Sequence, residues 1–306
     1  MNNLKSRILR KSNLWHLGAI LLFVIISCSY LSPALKDYSV KQADVVNYIG
    51  ASREVADFRE NSGEQILWTN SMFSGMPSTQ ISIRYEGTWF SRGITNLVRL
   101  GLPRPISYMF IYFISFYILS LSLRIKPLIG IIGSIAFGLS SYFIVILEAG
   151  HNSKAAAIGL APLMIAGFIM SYRFKNWTLG VALSSLFMMI ELAANHVQIT
   201  YYMAFVLLLM GLVELIKHIK DNELFKFVKV TSLLVVGYAF AVMVNYGNLF
   251  GTIDYSKQTI RGGTELTINA DGSQNDEIKT SGLDRDYVTN WSYGRAETFT
   301  LMVPNY

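Results

Sequence analysis

The chain has 306 residues, 52% of them hydrophobic and only 15% charged, with a formal charge of +6. A soluble domain carries about 25% charged residues. Here the deficit is concentrated in several runs of about 18–21 residues nearly free of charge, the length that crosses a roughly 30 Å hydrocarbon layer at 1.5 Å per residue. Lys and Arg sit beside these runs or in mixed-sign loops and form no basic stripe, so the charge points to no nucleic-acid partner. The single Cys28 excludes an internal disulfide and any CxxC motif.

Residues 1–13 are basic and carry no acid, and a first span is predicted over residues 14–34, with Leu14–Leu31 as its apolar part and Pro33 closing it. Basic flanks stay cytoplasmic, so this span exits outward. The run Ile25-Ile26-Ser27-Cys28 also fits a lipoprotein signal, and the loop that follows is exported on either reading. Residues 35–105 form that first extracytoplasmic loop. Val45-Val46, Ile49 and Val55-Ala56 suggest short helices in it, and Trp68, Phe73, Trp89 and Phe90 suit a headgroup layer.

Residues 106–246 hold the remaining predicted spans: Ile106–Leu123, Pro127–Leu147, Ala155–Tyr172, Trp177–Ala194, Val197–Ile216 and Val228–Tyr246. With the amino terminus inside, the inside turns fall at Arg124/Lys126, Arg173/Lys175 and Lys217–Lys229. These are the basic ones. The unusual polar motifs then all fall outside: the first loop, the linker Glu148–Lys154, the Asn195-His196 corner and the polar segment 247–306. That segment holds a Gly262-Gly263 turn signal, an acidic patch at Asp276-Glu277, and Trp291.

Each polar candidate has a plainer reading. Asp44, just beyond the first span, is either a catalytic carboxylate or a loop acid capping a helix. Glu54 and Asp57 are weaker candidates that suit pairing with Arg53 or Arg59. Glu148, His151 and Lys154 stand at i, i+3, i+6, one face of a helix unless Gly150 breaks it. Lys154 runs against the charge rule in a short outer loop, and a fixed anion beside it explains that. Glu191 is an ionisable residue inside a span. His196 and Gln198 sit at the same height. No spaced metal motif such as HExxH, and no phosphate loop, is present.

The Asp44 region, Asp57-Phe58-Arg59, Leu67-Trp68-Thr69-Asn70, Phe73-Ser74-Gly75-Met76-Pro77, Gly150-His151-Asn152-Ser153-Lys154 and Asn195-His196-Val197-Gln198-Ile199-Thr200-Tyr201-Tyr202 together resemble the YfhO family of bacterial membrane proteins. Their order and spacing relative to the spans carry the likeness over nearly the whole chain. That family is in turn similar to multi-span glycosyltransferases with the GT-C fold. The resemblance implies an all-α polytopic transmembrane bundle in a bacterial inner membrane. It implies an acidic residue of the first outer loop, Asp44 here, as catalytic. The implied donor is a polyprenyl-phosphate sugar, and the acceptor an extracytoplasmic glycan, polymer or protein. Lys154, His151 and His196 are the expected phosphate-binding groups. Asp57, Arg59, Trp68, Asn70, Glu148, Asn195, Gln198 and Tyr202 are expected in support. No cofactor is specified, and a divalent cation is left open. Family members are generally longer, so the chain reads as an amino-terminal portion. The competing functions are a non-catalytic polyprenyl-lipid carrier or flippase, and a subunit that binds envelope polymer.

Overall fold

In the computed structural model the described residues are 11–36, 38–83, 85–257, 259, 271–274, 286, 289–290, 292 and 294–301. The Gly262-Gly263 turn, the Asp276-Glu277 patch, Trp291 and most of the basic amino terminus lie outside them. Among the described residues the fold is all-α, with eleven α-helices and one two-residue β pair. The helices are α1 Lys11–Tyr30, α2 Ala43–Ser62, α3 Trp89–Val98, α4 Ile106–Ser122, α5 Pro127–Gly138, α6 Ser141–Ala149, α7 Asn152–Arg173, α8 Trp177–Leu192, α9 Val197–Lys220, α10 Leu224–Val244 and α11 Tyr246–Ser256. The chain divides into two compact units, Met1–Asn47 with Glu86–Tyr246, and Tyr48–Tyr85 with Gly247–Tyr306.

Apolar runs and helices coincide, but their lengths differ from the expected seven full spans. Among the described residues three helices, α7, α9 and α10, are long and apolar enough to cross a membrane. The run Pro127–Leu147 is broken into α5 and α6, bent by 43°, which together make a fourth candidate. The break falls at Leu139-Ser140, where Ser140 turns extended before the next helix. The apolar helices Leu14–Tyr30, Ile106–Ser122 and Trp177–Leu192 are shorter. In the loop following the first span, residues 45–56 lie in one helix of 20 residues, α2, where short ones were expected, and the 10-residue α3 follows.

The first unit is organised around α7. Its window of high hydropathy is 83% buried, against 11% for α9 and 17% for α10. The outer helices therefore show Leu208, Leu209, Leu212, Val235, Phe240 and Met243 at their surface. A contiguous apolar surface of this kind suits hydrocarbon and not water. α7 packs on α8 and on α4. The approach to α8 is close because each helix offers a small-x-x-x-small pair, Gly167/Ser171 on α7 and Gly180/Ser184 on α8. A Cβ at Gly167 would lie 2.5 Å from Ser184 Cα, and one at Gly180 would lie 2.5 Å from the Met170 carbonyl carbon. Aromatic packing closes the α1–α4 side, where Phe23 meets Phe113 and Tyr117.

The three basic corners meet. Arg124, Arg173, Lys217 and Lys226 line one cavity of about 340 Å³. Beside it Arg173 Nε donates to the buried Glu214 at 2.6 Å, with His218 3.9 Å from the same carboxylate. Helix connectivity alone alternates the ends of successive helices, and this convergence agrees with it.

In the second unit, β1 (Trp68–Thr69) pairs antiparallel with β2 (Met76–Pro77). Gly75 has φ +120°, and a Cβ there would lie 2.8 Å from Trp68 Nε1. Only glycine suits both the conformation and the space. Gln80 Nε2 donates to Thr252 Oγ1 of α11 at 3.3 Å.

Candidate functional site

The polar centre of the first unit forms where the start of α2 meets the α6–α7 corner. Gly150 ends α6 in the left-handed conformation, φ +95°. That is the usual glycine stop of a helix. A Cβ there would lie 3.1 Å from Gln42 Cβ and 3.2 Å from Asp44 Cβ, so the glycine lets the two segments touch. Gln42 clamps them. Its amide donates to the Leu147 carbonyl and exchanges two 3.2 Å hydrogen bonds with the Asn152 amide. The sequence held no signal for this clamp, because amide pairs between residues 110 positions apart leave no local pattern.

The clamp sets Asp44 against His151. Asp44 Oδ2 lies 3.0 Å from His151 Nε2, and both side chains are about half exposed. Asp44 also stands in the first turn of α2, where the helix dipole favours an anion. The plain reading expected a loop acid capping a helix, and Asp44 instead lies inside α2, one residue after its start. His151 is the cap residue before α7. Glu148 lies exposed on α6 and Lys154 on α7, so the left-handed Gly150 removes the single helical face that their spacing suggested. Lys154 Nζ sits 5.4 Å from the Tyr142 ring centroid, a cation–π contact.

The Asn195-His196 corner joins this centre. Asn195 turns the chain with φ +57°, and His196 Nδ1 lies 3.4 Å from Ser153 Oγ. Burial, with the charges of Lys154 and His151 added, holds the His196 imidazole below its ordinary value of 6.5. His196 is therefore neutral at pH 7. The folded state resists charging it, so its contribution to stability is full above 6.5 and is lost as pH falls through the folded value. The thermal midpoint is expected to drop between pH 7.5 and 5.5, and by less in His196→Gln. Equal drops in both proteins would show that His196 is not the group being charged. Gln198 Nε2 donates to Tyr202 Oη at 2.7 Å along the exposed side of α9.

The other expected residues belong to the second unit, and each has a local partner. Asp57 pairs with Arg53 at 3.4 Å. Arg59 donates to the Ser82 carbonyl and, at 3.4 Å, to its hydroxyl. Trp68 covers Gly75. The Thr69 hydroxyl donates to Glu54 at 2.5 Å, and the Asn70 backbone amide donates to it at 2.8 Å. These bonds hold the Glu54 carboxyl below its ordinary range. Glu54 thus anchors the β pair to α2, a structural task. Among the described residues no three His, Cys, Asp or Glu side chains come together as a metal site.

A cavity of about 510 Å³ opens in the first unit. Arg92 and Arg99 from α3 and its last turn, Arg104 and Tyr108 at the start of α4, and Asn152 and Ser153 of α7 line it. Asn152 and Ser153 are also the residues that hold Gln42 and His196, so the cavity and the Asp44 centre share a wall. Loop-end arginines in a mixed-sign stretch gave no sequence signal for it. No family model, curated protein or solved structure matches this chain.

Proposed function

We propose that the protein is a membrane glycosyltransferase of the GT-C type. It moves a sugar from a polyprenyl-phosphate donor to a glycan, polymer or protein acceptor outside a bacterial inner membrane, with its amino terminus cytoplasmic. The observation that carries this reading is the Asp44–His151 pair, accessible, 3.0 Å apart, in the same unit as Lys154 and His196. An acceptor hydroxyl needs a base as it attacks, and a carboxylate within hydrogen-bond reach suffices. Asp44 takes that proton as the acceptor oxygen bonds to the anomeric carbon. The bond from that carbon to the phosphate oxygen breaks, and the phosphate leaves with the electron pair. One displacement inverts the anomeric carbon. His151, 3.0 Å away through its Nε2, orients the carboxylate. The leaving phosphate is a weak base that needs no acid, only nearby positive charge. Lys154 supplies some of it. Asp57, Arg59, Trp68 and Asn70 shape the rest of the first loop.

Reconstituted in liposomes with a polyprenyl-phosphate sugar and envelope extract, the purified chain is expected to pass labelled sugar to the extract. Sidedness is checked separately. A cysteine at the exposed Ser153 is expected to react with an impermeant reagent in intact cells, and one at the exposed Lys175 only after lysis. The opposite pattern overturns the orientation. A non-catalytic lipid carrier shares the cationic cavity but leaves the Asp44–His151 pair without a task.

A further inference from the structure

The cavity between α3, α4, α7 and α8 has a charge pattern that calls for an occupant. Arg99 and Arg104 both stack on Tyr108, at 5.2 and 5.8 Å from its ring centroid. No acidic side chain among the described residues pairs with either of them. Arg99 Nε is buried without a hydrogen-bond partner. Leaving a buried donor unpaired is costly, more so for a charged group. Burial, with the charge of Arg104 added, also disfavours the Arg99 cation. The like charges of Arg99 and Arg104, with no described carboxylate paired to either, are destabilising by themselves, and an anion relieves these costs together. Arginine's planar fork matches a phosphate with two parallel hydrogen bonds.

We infer that this cavity is a phosphate-binding site, with Arg99 and Arg104 as its principal ligands and Arg92 at its rim, and that it takes a phosphate ester. Leu160 and Ile190 form an apolar wall beside the arginines, which suits a phosphate joined to hydrocarbon or to a sugar face. A volume of about 510 Å³ lies within the ordinary range of ligand pockets, about 300–1,000 Å³. The assignment makes the arginines the principal phosphate ligands in place of His151 and His196, with Lys154 adding positive charge across the shared Asn152–Ser153 wall. His151 is then Asp44's partner, and His196 is a neutral neighbour. The inference deepens the donor half of the proposed function and rests on that reading for the lipid. Its test reads binding alone, so failure of phosphate binding and failure of sugar transfer are scored apart.

The test titrates the purified full chain in detergent with farnesyl phosphate, inorganic phosphate and farnesol, followed by calorimetry. The wild type is expected to bind farnesyl phosphate and not farnesol. Arg99→Gln with Arg104→Gln is expected to weaken that binding about tenfold or more, since hydrogen bonds to charged groups are lost. Arg99→Lys with Arg104→Lys is expected to fall between, keeping charge and losing the fork. Ala193→Leu, which adds bulk to the cavity lining and leaves both arginines in the sequence, is expected to weaken binding too and guards against a misfolded glutamine variant. Inorganic phosphate binding as tightly as farnesyl phosphate would keep the site and make free phosphate its ligand. A clear preference for farnesyl phosphate assigns the lipid headgroup. Wild-type affinity in the glutamine variant, or equal binding of farnesol, would overturn the inference.

Discussion

Asp44→Asn is expected to lower sugar transfer by about 10²–10⁴ while leaving lipid-phosphate binding unchanged. The amide keeps the shape of the carboxylate and still accepts a hydrogen bond from His151, 3.0 Å away in the native protein. It cannot take a proton at neutral pH. His151→Gln is expected to cost less than Asp44→Asn, because it removes orientation and not the base. Asp57→Asn serves as the matched control, since Asp57 pairs with Arg53 in the second unit. The measurement is transfer rate at saturating donor, with expression and donor binding followed in the same preparations. Wild-type rates in Asp44→Asn would remove it as the base. Loss confined to Asp57→Asn would move the base there.

Gly180→Val is expected to destabilise the first unit by about 1–3 kcal/mol or more, the cost of overpacking a close contact. A Cβ at this position would come within 2.5 Å of backbone atoms at Met170 and Ser171. Backbone cannot move aside as a flexible side chain does, so α7 and α8 must separate. The separation would also unseat Ser184, whose hydroxyl bonds Tyr238 of α10 at 2.8 Å. Since α7 carries Asn152, Ser153 and Lys154 at its start, misplacing it should disturb the functional centre as well. Gly211→Ala is the control. The nearest atom to a Cβ there is Phe168 Cζ at 3.9 Å, and alanine favours a helix. Thermal midpoints in detergent are expected to fall clearly for Gly180→Val and to hold for Gly211→Ala. Equal midpoints would mean that α7 and α8 are not packed this closely.

The legible parts of the chain were those set by local chemistry. Hydrophobic runs located the helices, because each must satisfy its own backbone in hydrocarbon. The positions of their breaks were less legible. Nothing in Phe137-Gly138-Leu139-Ser140 required a bend of 43°. The polar motifs Asp44, His151, Lys154 and His196 stood out because ionisable residues between apolar runs are conspicuous. Their partners did not. Gln42 is one more polar loop residue in the sequence, and only the fold puts it on Asn152. Arg99 and Arg104 are ordinary loop arginines in the sequence, because the lack of a described carboxylate paired with them is a three-dimensional fact. Gly167 and Gly180 read as composition, although their spacing to Ser171 and Ser184 was a pattern that sequence reading had available. The second unit taught the reverse lesson. Trp68 and Asn70 were expected in a supporting role, and the structure shows a local contact for each, Gly75 and Glu54.

The most direct test of the central claim needs no knowledge of the acceptor's identity. Liposomes holding the purified chain are supplied with a polyprenyl-phosphate sugar and envelope extract, and the polyprenyl phosphate set free is measured by chromatography. Steady release by the wild type is predicted, with release lost in Asp44→Asn although that variant still binds the lipid. An intact donor in the wild type at saturating concentration, with the lipid bound, would contradict the account and leave the protein a carrier.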